Sequence, residues 1–321
     1  MATVVVTRAL VSGADRLEGH EVRTWSEDRP ISRDVLESWI GEADGLLCML
    51  TDRIDAPLLD RAGRLRVISQ CAVGVDNIDL KACTVRGLPV GHTPDVLTET
   101  TADTAFALLA AAVRRVPEGM REVAEGRWRE WSPTHLLGGD LHGSTLGIVG
   151  LGRIGSAVAR RAQGFDMRVL YTGPSRKPLL ESRLRVGFRP FEELLVQCDA
   201  IVVTAPSRES TRGMFDRPAF EAMSRHAVFV NVARGDLVDT DALVWALETG
   251  QISGAALDVT DPEPIPADHP LVSMPNCLIV PHIGSASRRT RAAMFELAVS
   301  NLLEGLEGRR VRACANPAVY G

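Results

Sequence analysis

Short runs of β-branched and other apolar residues alternate along the chain with longer segments in which apolar residues recur at helical spacing. Continuous apolar runs of this length are typical of strands buried on both faces of a parallel sheet. The alternation therefore predicts an α/β fold with helices covering parallel sheets. The predicted strands are TVVVT (3–7), GLLCML (45–50), RVISQCAV (66–73), TLGIVG (145–150), RVLYT (168–172), AIVVTA (200–205), AVFVNVA (227–233), GAALDV (254–259) and CLIVPH (277–282).

Two longer helical segments divide this pattern. The first lies near residues 98–116, where threonines that can cap a helix precede an alanine- and leucine-rich stretch, and the second covers 287–308. We interpret both as connections between two domains. One domain would comprise residues 99–285 and bind a dinucleotide. The other would be discontinuous, formed by 1–98 and 286–321, and would bind the substrate.

A glycine-rich turn follows the strand at 145–150. Gly150, Gly152 and Gly155 form a GxGxxG pattern between this strand and a helical segment. In that context the first glycine permits a tight turn, the second lets the backbone approach a pyrophosphate, and the third allows close packing of helix on strand. The N–H groups at the start of the helix, including those of Arg153 and Ile154, suit a phosphate. The pattern predicts a dinucleotide site.

The end of the next strand discriminates between two cofactors. A carboxylate at this place binds the adenosine ribose of NAD and repels a 2′-phosphate. Here Gly173 stands near the expected acidic position, and Ser175, Arg176 and Lys177 follow it. A hydroxyl group and two cations suit a phosphate dianion. We therefore predict NADPH as the cofactor, with NADH as the alternative.

Polar residues also stand at the ends of three later strands, where ligands collect in open α/β sheets. VNVARGD carries Arg234, ALDVTDPEP carries Asp258 and Glu263, and LIVPHIGSAS carries His282. An imidazole that titrates near neutral pH can donate a proton, and a neighbouring carboxylate orients it. A guanidinium binds a carboxylate in forked geometry. The set Arg234, Glu263 and His282 is what the reduction of a 2-oxo acid requires.

Composition and charge give no indication of a nucleic-acid-binding, membrane or metal-binding protein. The chain has 321 residues and a net charge of −5, with its basic residues dispersed, which predicts no nucleic-acid or membrane partner. The six cysteines show neither a CxxC pair nor metal-ligand spacing, so we expect no metal. Scattered thiols, and an N-terminus that resembles a first strand more than a signal peptide, predict a cytoplasmic protein.

The pieces GLGRIG, VNVARGD, ALDVTDPEP and PHIGSAS, in this order and spacing, resemble the D-isomer specific 2-hydroxyacid dehydrogenases over essentially the whole chain. Within that family the sequence is most similar to the glyoxylate/hydroxypyruvate reductases, which prefer NADPH. The resemblance implies two Rossmann-like domains with parallel sheets, of which the substrate domain is flavodoxin-like. It implies reduction of glyoxylate to glycolate, or of hydroxypyruvate to D-glycerate.

The resemblance also assigns roles to individual residues. His282 would be the general acid, Glu263 its partner and Arg234 the cation that binds substrate. The remaining assignments fall into two groups. Substrate contacts would come from Leu50, Val73, Gly74 and Ser285, and cofactor contacts near the nicotinamide from Ala233, Asp258 and Gly284.

Residues 126–143, GRWREWSPTHLLGGDLHG, break the alternating pattern. They are polar, carry two tryptophans and show no clear period. The resemblance implies that this segment is a dimerisation arm of a homodimer, with Trp131 reaching the partner's active site. Ordinary packing of Trp128 and Trp131 is the alternative.

Three other functions remain open at this point. Another D-2-hydroxyacid dehydrogenase would share the same residues. Phosphite dehydrogenase shares the scaffold and the triad, but its activity is associated with a lysine where this chain has Val73. A dinucleotide-sensing corepressor would also keep the Arg–Glu–His set, yet such proteins usually have longer termini.

Overall fold

The computed structural model describes all residues, Met1–Gly321. It divides into two compact units. The first comprises Met1–Leu97 and Ala286–Gly321, and the second comprises Thr98–Ser285. The sequence analysis placed the domain boundaries between residues 98 and 99 and between residues 285 and 286.

The first unit contains a five-stranded parallel sheet. Its strands are β1 (Thr3–Val6), β2 (Glu21–Thr24), β3 (Gly45–Cys48), β4 (Val67–Gln70) and β5 (Val90–Gly91). Their order across the sheet is β2-β1-β3-β4-β5, the order of flavodoxin-like folds. Every residue of β3 and β4 is buried; β3 is apolar throughout, whereas β4 ends in two buried polar residues, Ser69 and Gln70.

Four helices complete this unit: α1 (Arg33–Ile40), α2 (Ala56–Arg61), α3 (Leu80–Val85) and α12 (Arg288–Leu306). The first three begin at a side-chain cap, in which Ser32, Asp55 and Asp79 accept a backbone N–H from the first turn. The helix α12 packs against β3 and β4, and Gly305 allows this approach because a Cβ there would lie 2.4 Å from Val67.

The second unit contains a seven-stranded parallel sheet. Its strands are β6 (Thr145–Val149), β7 (Arg168–Thr172), β8 (Gly187–Phe188), β9 (Ala200–Val203), β10 (Val228–Asn231), β11 (Gly254–Leu257) and β12 (Cys277–Ile279). They lie in the order β12-β11-β10-β9-β6-β7-β8. The order reverses between β6 and β9, which makes the carboxyl end of β6 a place where ligands bind in doubly wound sheets.

Helices cover both faces of this second sheet. They are α4 (Thr98–Val113), α5 (Val116–Ala124), α6 (Arg153–Gln163), α7 (Pro178–Leu184), α8 (Phe191–Gln197), α9 (Arg217–Ala222), α10 (Thr240–Glu248) and α11 (Pro270–Ser273). Two separate apolar cores lie on the two faces. The α/β class with two parallel sheets is confirmed.

Several elements differ from the sequence-based prediction. The segment near 98–116 is interrupted, because Arg115 adopts a left-handed conformation with φ of 53° and starts the separate helix α5. The strands β2, β5 and β8 were not predicted, since β2 is largely exposed and the other two have two residues each. None of the helices has both the length and the apolar composition needed to cross a bilayer.

Candidate active site

The predicted catalytic side chains of the second unit come from neighbouring strands at one edge of its sheet. Arg234 follows β10, Asp258 follows β11 and His282 follows β12, and these three strands are adjacent. The glycine turn follows β6 at the same edge. Parallel strands bring their carboxyl ends together, which is why residues separated by many positions converge here.

His282 and Glu263 form a direct pair. The Nδ1 atom of His282 lies 2.6 Å from Oε1 of Glu263. Burial raises the pKa of Glu263, but the hydrogen bond and charge of His282, the Thr260 N–H and the charge of Arg234 outweigh it and hold this pKa below its usual range. The carboxylate is therefore ionised at neutral pH. It contacts only Nδ1 of His282, so the Nε2 atom can contact a ligand.

The backbone at His282 is held in an uncommon conformation. Its φ is 51°, in the left-handed region that non-glycine residues rarely adopt. The His282 N–H donates to the carbonyl oxygens of Asp258 and Val280 at 2.9 and 3.0 Å. Such strain persists where the surroundings fix it, and it is common at active sites.

Asp258 fixes the segment that follows His282. Its carboxylate is buried and accepts the N–H groups of Ile283 at 2.6 Å and of Gly284 at 2.9 Å. Burial raises the pKa of Asp258 above its usual value, against these two hydrogen bonds and the charge of His282. Ser285, the next predicted substrate contact, is half-buried.

Asn231 shapes the loop that carries Arg234, a role that the sequence did not suggest. This buried side chain donates to the Arg234 carbonyl at 2.8 Å and accepts the Ala233 N–H at 3.0 Å. Gly235 comes next and packs against the loop after β11, since a Cβ there would lie 2.0 Å from the Thr260 oxygen. The loops that present Arg234 and Glu263 are thus in direct contact.

The glycine turn meets the physical requirements of a pyrophosphate site. Gly150 has a φ of 97°, and at Gly155 a Cβ would lie 2.3 Å from the Gly150 oxygen. At Gly152, the N-cap of α6, a Cβ would meet nothing within 4 Å, so the backbone faces open space. Arg153 and Ile154 form the first turn of α6, whose N–H groups and dipole favour an anion. These residues fit a dinucleotide.

An acid from α7, which the sequence analysis did not anticipate, reaches the loop after β7. Arg176 donates from Nη2 to Oε2 of Glu181, in α7, at 2.6 Å, and Lys177 donates from Nζ to the Leu151 carbonyl at 2.7 Å. Ser175 is exposed. Both predicted cations thus have protein partners, and Lys177 is bound to the glycine turn itself.

In the first unit, the predicted substrate-contact residues lie in two loops that one polar network joins. Leu50 lies in the loop after β3, and Val73 and Gly74 lie in the loop after β4. Asn77 donates to the Met49 and Asp52 carbonyl oxygens at 3.2 and 2.7 Å. Gln70, which is fully buried, donates to Asn77 Oδ1 at 2.7 Å and to the Gly74 carbonyl at 3.3 Å.

The segment 126–143 has no helix or strand. Its tryptophans stand in solvent, with Trp128 60% and Trp131 81% exposed. Together with Leu137 and three residues of α5, they make a concentration of exposed apolar side chains; the α5 members are Val116, Met120 and Val123.

Comparison with known proteins identifies the family. The family described as "D-isomer specific 2-hydroxyacid dehydrogenase, NAD binding domain" matches residues 106–284. The chain belongs to this family. It is an oxidoreductase, and the NAD-binding domain supports a nicotinamide dinucleotide as its cofactor.

Individual relatives extend the likeness to the whole chain. The glyoxylate reductase/hydroxypyruvate reductase of Homo sapiens is 47% identical over 290 residues, which cover 90% of this chain and 88% of the human one. The structure of the TT0316 protein from Thermus thermophilus has a TM-score of 0.91 at 48% identity, covering 98% of this chain and 99% of that one.

A third relative was solved with ligands. The NADPH-dependent glyoxylate/hydroxypyruvate reductase of Sinorhizobium meliloti, in complex with NADP and malonate, has a TM-score of 0.83 at 30% identity, covering 99% of this chain and 98% of that one. The predicted resemblance to glyoxylate/hydroxypyruvate reductases is confirmed.

Proposed function

We propose that this dehydrogenase reduces a small 2-oxo acid with NADPH, converting glyoxylate to glycolate or hydroxypyruvate to D-glycerate. The observation that carries the proposal is the His282–Glu263 pair, 2.6 Å apart, at the sheet edge that also holds Arg234 and the glycine turn. This set supplies a proton donor, a charge that stabilises it, and a cation for a carboxylate.

In the proposed reaction each side chain has one task. Protonated His282 donates its Nε2 proton to the 2-oxo oxygen, while Glu263 keeps the ring oriented and stabilises its charge. Arg234 binds the substrate carboxylate and polarises the oxo group. A nicotinamide bound at this site would supply the hydride for C2 of the substrate, and the product would be a 2-hydroxy acid. Backbone N–H groups of Val73 and Gly74 bind the carboxylate, with Leu50 and Ser285 as further contacts.

The cofactor contacts follow from the loops at the same edge. We assign the pyrophosphate to the glycine turn with Arg153 and Ile154, and the nicotinamide end to Ala233, Asp258 and Gly284. The preference for NADPH rests on Gly173, where an acid would repel a 2′-phosphate, and on the cations Arg176 and Lys177 beside Ser175. The NADPH-dependent relative supports the same choice.

The first test is a spectrophotometric assay of the purified protein. Oxidation of NADPH and NADH is followed with glyoxylate, hydroxypyruvate and pyruvate. We expect turnover with glyoxylate and hydroxypyruvate, and a lower KM for NADPH than for NADH. Absence of turnover with every 2-oxo acid would contradict the enzymatic proposal, and a strong preference for NADH would contradict the cofactor assignment.

A matched pair of variants tests the proton donor. His282→Ala should retain cofactor binding and lose nearly all reduction, on the order of a hundredfold or more. His226→Ala is the control, because His226 also pairs with a carboxylate, Asp199, at 2.7 Å, on a surface loop of the same unit. Activity of His282→Ala near that of the control would rule out the assignment.

We propose a homodimer formed through the segment 126–143. Its support is the exposure of several large apolar side chains there, Trp128 and Trp131 above all, which a protein–protein contact would cover. We further propose that Trp131 of the partner subunit contacts the substrate.

Light scattering of the wild type and of a Trp128→Ser/Trp131→Ser variant tests this assembly. We expect a dimer that the double substitution converts to monomer; a monomeric wild type would exclude the arm's proposed role. We also propose a cytoplasmic location, supported by six free cysteines, which cell fractionation tests.

A further inference from the structure

Glu181 is the central residue of a hydrogen-bonded group at the end of β7. Its Oε2 accepts Nη2 of Arg176 at 2.6 Å, and its Oε1 accepts Nε of Arg176 at 3.2 Å. The same Oε1 accepts the hydroxyl of Tyr171 at 2.8 Å. The Tyr171 oxygen in turn accepts the backbone N–H of Lys177 at 2.6 Å. The carboxylate is therefore bound to the strand and to the loop, and through Tyr171 to Lys177, the N-cap of α7.

The pair is asymmetric in its exposure. The Glu181 side chain is 14% exposed, whereas that of Arg176 is 64% exposed. Hydrogen bonds from Arg176 and Tyr171 lower the pKa of Glu181 to about 2, so the acid is ionised at every working pH. Arg176 thus reaches solvent with one side of its guanidinium, Nε and Nη2, already bound to a carboxylate.

We propose that Glu181 competes with the cofactor's 2′-phosphate for Arg176, and thereby limits the enzyme's preference for NADPH over NADH. This inference rests on the proposed NADPH-dependent function. A phosphate bound to the free side of Arg176 shares that cation with Glu181 and lies close to a second negative charge. NADH carries a hydroxyl group at that position, so its binding does not include this repulsion.

The tyrosine distinguishes Glu181 from a mobile surface partner. An exposed ion pair can separate when a ligand arrives, because both side chains are free to move. Here the hydroxyl of Tyr171, a fully buried residue, holds one carboxylate oxygen in place. The negative charge therefore remains beside the phosphate site when the cofactor binds.

The test uses Glu181→Gln, which keeps the size of the side chain and removes its charge. Calorimetry measures the affinity for 2′,5′-ADP and for 5′-AMP, and steady-state kinetics gives KM for NADPH and NADH. We expect 2′,5′-ADP to bind about three- to tenfold more tightly and KM for NADPH to fall by a similar factor, an effect that shrinks as salt is added. The constants for 5′-AMP and NADH, and kcat, should remain within about twofold.

Two variants serve as controls. Glu221→Gln removes the same charge from an exposed Arg–Glu pair of the same unit, Arg217–Glu221 in α9, and should leave all constants unchanged. Tyr171→Phe releases Glu181 without removing its charge and should tighten 2′,5′-ADP binding by a smaller factor, because it also removes the acceptor of the Lys177 N–H in the same loop. It also serves as the second variant, should Glu181→Gln fail to fold.

Unchanged or weaker binding of 2′,5′-ADP by Glu181→Gln would overturn the inference, because the acid would then be neutral toward the phosphate or would help by orienting Arg176. The fragment assay needs no catalysis. If wild-type protein turned over no 2-oxo acid, the proposed function would fall while the effect of Glu181 could still be measured.

Discussion

Glu263→Gln tests how much the carboxylate beside His282 contributes to the proposed reaction. In the wild type His282 Nδ1 lies 2.6 Å from Glu263 Oε1. The glutamine keeps the shape of the side chain and an acceptor for this nitrogen, but it removes the negative charge. The two loops that carry these residues are fixed by backbone contacts, so the substitution should leave the geometry in place.

The structure sets the size of the effect. A hydrogen bond to a charged group contributes about 1.5–3 kcal/mol. The side chains of Glu263 and His282 are 35% and 25% exposed, so water screens part of this interaction. We therefore expect a loss of about 1.5–2 kcal/mol, or roughly a 10- to 30-fold decrease in kcat/KM.

The assay measures kcat/KM for hydroxypyruvate at neutral pH and saturating NADPH. Asp268→Asn is the control, since it removes an exposed carboxylate from the same loop and should leave the rate unchanged. Equal losses in both variants, or no loss in Glu263→Gln, would show that Glu263 does not support His282 in the reaction.

Three further predictions concern residues that support the loops. Asn77→Ala removes the donor to the Met49 and Asp52 carbonyls and should raise KM for the 2-oxo acid about tenfold with a smaller change in kcat, as steady-state kinetics would detect; an unchanged KM would exclude a positioning role. Asn231→Ala leaves the Arg234 carbonyl and the Ala233 N–H without their partner. Unfolding in guanidinium should therefore show a free energy of unfolding lower by about 1–3 kcal/mol, and activity should also fall. An unchanged free energy of unfolding would show that these hydrogen bonds do not stabilise the loop. Burial raises the pKa of Glu304, but the hydrogen bonds and charge of Arg312 hold it below its usual range; the stability this carboxylate contributes is present above its unfolded pKa and is lost as pH falls. Glu304→Gln should therefore lower the free energy of unfolding at pH 7 by about 1–3 kcal/mol and flatten its decrease below about pH 5, and parallel stability curves for variant and wild type would disprove this.

The parts of the fold that the sequence predicted well are those in which burial dictates composition. The strands β3, β4, β9, β10 and β11 are buried along their whole length, and the apolar residues that predominate in them could be recognised directly. The strand β2 escaped notice because three of its four residues are exposed and its composition resembles a loop. The break at Arg115 was also missed, since a left-handed residue between two helices leaves no trace in the apolar spacing.

The candidate site divides in the same way. His282, Glu263 and Arg234 could be named because each follows a strand and has a residue type that the chemistry requires. Asn231 and Asn77 could not, because their tasks consist of hydrogen bonds to main-chain atoms of loops whose paths the sequence does not reveal. Glu181 was missed for another reason: an acid was sought at the end of β7, and it enters the loop from α7 instead.

The bond from Lys177 Nζ to the Leu151 carbonyl has a consequence for attempts to redesign cofactor choice. An engineer could replace the loop after β7 with the corresponding loop of an NADH-using relative. Because Lys177 also anchors the turn between Gly150 and Gly152, such an exchange removes a support from the pyrophosphate site that every dinucleotide needs. A replacement loop must therefore keep a donor to the Leu151 carbonyl, as Lys177 provides here. Without it, the chimera will lose affinity for both NADPH and NADH.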